Sequence, residues 1–178
     1  MSGSGLSFEQ EEEIRSKFIA ILLSGAKRPI KNKIYFQKEL FLFSKSFPKF
    51  FETFEFKPHY YGPYSRYAED IIANYDNLFV SDNRGIYLTE EGEELSKESL
   101  NEFSPANREK IKISLNIVRS LYDSLSTDEI MFLVYMTYDY TERSDVIDNL
   151  LKEKDQIAGQ LLKKGVITNK RYQELIRD

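Results

Sequence analysis

At 178 residues the chain is long enough for one large domain or two small ones, and 41% hydrophobic residues with 14% aromatics supply ample core material. A formal net charge of −4 with a pI near 5.3 argues against a protein that coats nucleic acid nonspecifically, but leaves room for a local basic face. The absence of Cys excludes disulfides, thiol catalysis and cysteine metal sites, and fits a reducing compartment.

No apolar run reaches the ~18 residues of a membrane span, and residues 1–6 read as a tag or disordered start without the features of a signal peptide. A soluble cytoplasmic protein is the expectation. Glu9–Leu23 reads as the first helix, with acidic residues at the positive end of its dipole and Ile14, Phe18, Ile21 and Leu22 facing inward. A second helix is expected from Pro29 to about Lys45, where Phe36, Leu40, Phe43 and Phe47 form a stripe that Ile34 and Phe41 widen. Lys57–Tyr61 suits a short edge strand because Pro58 cannot donate to a ladder.

Gly62-Pro63 then breaks regular structure, and Ser65 caps a helix read from Tyr64 to Leu78. The β-prone runs Leu78–Val80 and Ile86–Leu88 flank Ser81-Asp82-Asn83-Arg84-Gly85, which is a hairpin signal. Thr89 is placed to cap the helix that begins at Glu90. Helix, hairpin, helix is the second half of a winged helix. The expected fold is therefore mostly α with a small β hairpin: a winged helix-turn-helix over residues 7–100, followed by a C-terminal helical domain over 105–178.

In that C-terminal part Pro105 suits a first helical position, and Ile111, Leu115, Val118, Tyr122 and Leu125 recur as a heptad-like seam. Ser126 and Glu129 form a capping-box pattern before the apolar run Ile130–Met136, which Tyr138-Asp139-Tyr140-Thr141 ends. Ser144 and Thr168 are read as caps of two further helices, and Gly165 as a C′ residue.

The run KIYFQKELFLF, then YGPYS, a helix, a hairpin and LTEEGEEL, resembles the YwgA-like proteins and the Panacea or SocA-like antitoxin-associated domains. Lys33, Ile34, Phe36, Gln37, Lys38, Leu40, Gly62, Pro63 and Gly92 carry the resemblance, over about residues 30–95. It implies a prokaryotic winged-helix protein. The closing stretch IAGQLLKKGVITNKRYQEL is similar to the SHOCT-type helical hairpin, an interaction element.

Catalysis has little to stand on. His59 is the single histidine and reads as structural, since no second ligand or paired nucleophile accompanies it. Ser24 and Lys27 match S-x-x-K by spacing alone, and no phosphate loop or dinucleotide fingerprint occurs. No enzyme activity, cofactor or metal is expected. For double-stranded DNA the candidate contacts are Lys31, Lys33, Lys38, Ser65, Arg66, Tyr67 and Arg84: second-helix cations, a helix N-terminus and a wing tip. These cations read equally as an ordinary solvated face, and the helix in the recognition position carries Glu69, Asp70 and Asp76. Tyr60, Tyr61 and Tyr64 crowd the Gly62-Pro63 turn as candidate protein contacts.

The leading expectation is thus a DNA-binding transcription regulator; the alternative is a winged-helix adaptor or scaffold that binds protein instead. A homodimer through the C-terminal helices is expected, because a small winged helix has little surface on which to bury both the seam and Ile130–Met136; the competing reading is that these helices fold back and complete one monomeric core.

Overall fold

The computed structural model describes residues 5–138, 140–142, 144, 146 and 147–177. The tag expectation for the first four residues, and Asp139 in the turn after the apolar helix, lie outside them. The helices are α1 (Phe8–Ser24), α2 (Lys33–Lys45), α3 (Pro48–Phe54), α4 (Arg66–Asn74), α5 (Glu90–Asn101), α6 (Pro105–Leu121), α7 (Thr127–Thr137), α8 (Ile147–Lys152), α9 (Lys154–Lys163) and α10 (Asn169–Ile176). The strands are β1 (Lys57–His59), β2 (Gly62–Tyr64), β3 (Phe79–Asp82) and β4 (Gly85–Leu88), forming two antiparallel hairpins. The fold is mostly α with small β hairpins. Among the described residues no helix is long and apolar enough to cross a membrane.

Caps fix most boundaries. Ser7 and Gln10 form a capping box on α1, and Asn32 caps α2 by accepting from the Ile34 and Tyr35 amides. The second helix therefore starts at Lys33 rather than Pro29. The residues between do something else: Ile30 pairs with Ile86 of β4 through two backbone hydrogen bonds of 2.9 and 2.8 Å. This bridge is the third member of the wing, so the chain runs α1, the Ile30 bridge, α2, α3, the β1–β2 hairpin, α4 and then the β3–β4 wing. Gly85 makes the approach possible. Its φ is +120°, and a Cβ there would sit 2.3 Å from the Ile30 carbonyl oxygen. The expected edge strand, Lys57–Tyr61, pairs not with the wing but with the residues that follow it, His59 opposite Gly62 and Lys57 opposite Tyr64. Tyr64 thus belongs to β2, and α4 is shorter than its apolar spacing suggested, ending at Asn74.

Ser65, Thr89, Ser104, Ser126 and Thr168 all cap helices, with Glu129 completing a capping box on α7 and Pro105 opening α6. Ser144 accepts from the Ile147 amide at the start of α8, and Gly165 (φ +71°) follows α9.

Phe18 of α1 lies at the centre of the winged-helix core, stacked on Phe43 at 4.5 Å and on Phe50 at 4.4 Å. The C-terminal helices close the same cluster. Both α6 and α7 pack on α2. Ile111, Leu115, Val118 and Leu125 of the seam are buried, as are Ile130, Met131, Phe132, Val134 and Tyr135 of the apolar helix. These residues are buried within one chain, so the seam by itself does not call for a second copy. The winged helix does have surface for these residues, because α2 is apolar on both sides: one side faces α1 and the other faces α6 and α7. The seam belongs to the inside of one chain.

Candidate functional site

The region read as functional in the sequence is the one where α2 meets the β1–β2 hairpin. A helix buried on all sides must bury its polar residues too, and Gln37, Lys38 and Glu39 are each at least 95% buried. Gln37 clamps the hairpin's end: its amide donates to the Ser65 carbonyl (2.9 Å), and its carbonyl accepts from the Ser65 amide (2.8 Å). Lys38 donates to the Pro63 carbonyl oxygen at 3.0 Å. Burial alone pushes its ammonium down to about 7. Gly62, with φ +84°, lets the hairpin close down on these groups. A Cβ there would stand 3.1 Å from the Tyr135 ring and 3.3 Å from Lys38 Cε. Of the residues that carried the resemblance, Gln37, Lys38, Gly62 and Pro63 meet at this junction, whereas Gly92 lies on α5 against Leu78 and Leu88.

Above the junction lies a cavity of about 150 Å³. Ile34, Phe36, Ile72 and Ile86 supply apolar lining, and His59, Tyr61, Tyr64, Lys33 and Glu69 also border it. Glu69 accepts from Lys33 Nζ (2.8 Å) and from the Tyr64 hydroxyl. The Lys33 bond, reinforced by Tyr64, holds the Glu69 carboxyl below its usual value. Burial, with the Glu69 carboxylate, pushes the Tyr64 phenol up to about 12. His59 stacks on the Tyr64 ring at 4.8 Å and meets Tyr60 edge-on.

The candidate DNA contacts scatter rather than converge. Lys38 is 2% exposed and Ser65 is fully buried, so neither reaches a phosphate. Ser65 instead accepts from the Ala68 amide and donates to the Phe54 carbonyl, holding α4 onto α3. Both readings as nucleic-acid contacts are corrected, because a helix cap and a buried anchor are enclosed by what they hold. Tyr67 lies under the Arg15 guanidinium, 4.0 Å from its ring centre, with its face already occupied. Lys31 donates to the Leu125 carbonyl at 3.4 Å and sits over the Tyr35 ring. Lys33, Arg66 and Arg84 remain exposed, but each stands beside a carboxylate: Glu69 at 2.8 Å, Asp70 at 3.6 Å and Asp82 at 2.7 Å. Tyr60 and Tyr61, the two tip residues of the hairpin, are 54% and 46% exposed.

No model of a known protein family matches the sequence, and no curated protein matches it.

Sequence reasoning missed a second buried charged group. Glu39 of α2 faces Arg119 of α6, with Glu39 Oε2 3.7 Å from Arg119 Nε and both side chains enclosed. Arg28 pairs with Asp123, and the two arginines cross-brace the chain. Arg28 donates to the Arg119 carbonyl (2.9 Å), and Arg119 donates to the Arg28 carbonyl (2.6 Å). A signal was present: Gln37-Lys38-Glu39 interrupt a helix whose apolar residues point to every side.

Proposed function

We propose that the chain is a non-enzymatic winged-helix module that works through protein contacts, with the Tyr60–Tyr61 tip of the β1–β2 hairpin at the centre of its contact surface. The observation that carries this reading is the pairing of Lys33, Arg66 and Arg84 with carboxylates on the recognition side. Duplex affinity comes from cations that neutralise phosphates and release their counterions. A carboxylate beside each cation brings a negative charge to the same phosphates and cancels much of that gain. Two exposed tyrosines on a two-residue tip offer large rings with few rotatable bonds, as protein-binding surfaces favour. A single copy suffices for this role, since the seam is satisfied internally.

The DNA-binding reading keeps one observation of its own. Lys27, Arg28, Arg84 and Lys97 line an open groove between the wing, α5 and the loop after α1, with Glu93 the acidic residue among them. Anisotropy titration of a mixed-sequence duplex at low salt separates the two. The expected result is weak binding with a shallow salt slope, unchanged by Arg66→Ala or Arg84→Ala. A steep slope that falls by about one in either variant, or in Lys27→Ala with Lys97→Ala, would sink the protein-contact reading. Its positive arm is crosslinking in host extract: Tyr60→Ser with Tyr61→Ser should lose the partners that the wild-type chain captures.

A further inference from the structure

Lys38 is a buried amine that forms no salt bridge with any of the described residues. Its Nζ has three donors, and the Pro63 carbonyl takes one. Burial depresses its value, and among the described residues no carboxylate offsets that. The one carboxylate bordering the adjacent cavity, Glu69, is held by Lys33 and Tyr64. Buried charges in folded proteins are normally paired, because taking an ion out of water without a partner is costly. An unpaired one beside a cavity marks a place where the partner arrives from outside. The cavity's size and lining say what kind of partner. About 150 Å³ is the scale of a protein cavity that admits a benzene ring. Ile34, Phe36, Ile72 and Ile86 give it the mainly apolar lining, with few polar groups, of a small-molecule site.

We propose that this cavity binds a small single-ring carboxylate, its ring against Phe36, Ile72 and Ile86 and its carboxylate on the Lys38 ammonium. A phosphate suits the place poorly. Its second charge would need a second free cation, and the other lysine bordering the cavity, Lys33, is already paired. The site stands whether the hairpin tip contacts protein or DNA, and Tyr61 connects the two, since it borders the cavity and is exposed at the tip.

The charged form of Lys38 is the binding form, so affinity should hold level below about pH 7 and fall about tenfold for each pH step above it. The titratable groups around Lys38 and the cavity are Lys33 on α2, His59 on β1, Tyr61 and Tyr64 of the hairpin, Glu69 on α4 and Tyr135 on α7. His59 borders the cavity, so its variant serves as the control. Calorimetric titration of the whole chain with benzoate, benzamide and acetate tests the proposal. Benzamide keeps the ring without the charge, and acetate keeps the charge without the ring. Benzoate should bind at least about tenfold more tightly than either. Lys38→Met should reduce benzoate to the level of benzamide, and His59→Gln should keep both the affinity and the pH profile. The wild-type pH profile needs no variant to fold. Equal binding of benzoate and benzamide, no binding of benzoate at millimolar concentration, a flat profile from pH 6 to 9, or unimpaired binding by Lys38→Met would each overturn it.

Discussion

Replacing Glu39 by Gln should make the protein more stable, and increasingly so as the pH rises. Glu39 is fully buried on α2, with Arg119 Nε 3.7 Å away and the Asp123 side chain beside its carboxyl. Burial pushes the carboxyl up to about 8; the Arg119 charge opposes this and the Asp123 charge adds to it. The folded chain therefore holds Glu39 protonated at neutral pH, while the unfolded chain releases the proton near the ordinary value of 4.5. A raised acid value means that stability is fully present below 4.5 and is lost as the pH climbs towards 8. At about 1.4 kcal/mol for each pH step, the loss between pH 5 and 8 is about 3 to 4 kcal/mol. Gln resembles the protonated acid in shape, and cannot ionise in either state. Lys38 titrates in the opposite sense: its neutral form is favoured in the fold, so it costs stability below about 7 and relieves that cost towards 10.5. That contribution is common to both proteins and cancels in their difference. Urea unfolding followed by circular dichroism at pH 5 and pH 8 measures the effect. The variant's advantage should widen by about 3 to 4 kcal/mol across that interval, and parallel pH profiles for the two proteins would refute a protonated, buried Glu39.

Gly85→Ala should cost at least about 2 kcal/mol, because its Cβ would stand 2.3 Å from the Ile30 oxygen at a φ of +120°. Hydrogen exchange should show the Ile30 and Ile86 amides losing protection first, and an unchanged melting temperature would contradict the bridge. Ile111→Ala should lower the unfolding free energy by about 2–5 kcal/mol, since the residue is fully buried at the contact of the C-terminal helices with the rest of the core. If the seam is internal, the urea midpoint will not move with protein concentration, and light scattering will give the mass of one 20.9 kDa chain. A midpoint that climbs with concentration would place the seam between subunits instead.

Local signals carried much of the fold. Caps and turns are short-range chemistry: Ser65, Thr89, Ser126 and Thr168 sit within three residues of the amides they accept from, so their helices were legible from the chain alone. The wing was legible for the same reason, as Gly85 closes a loop between adjacent β-prone runs. Tertiary contacts decided what spacing could not. Ile30 becomes a strand only because β4 arrives from more than fifty residues away, and Lys57–His59 pairs with its own neighbours because Gly62 and Pro63 close onto Lys38 and Tyr135. The seam Ile111–Leu125 has one periodicity whether its partner is another chain or α2, so sequence left that choice open and packing made it. Charge was the least legible property. Composition counts Lys38 and Ser65 as polar residues available to a ligand, yet enclosure on α2 and at the cap of α4 removes both from water. Burial is a property of the assembled layers, and it turned Lys38 from an expected surface cation into an enclosed amine at the edge of a cavity.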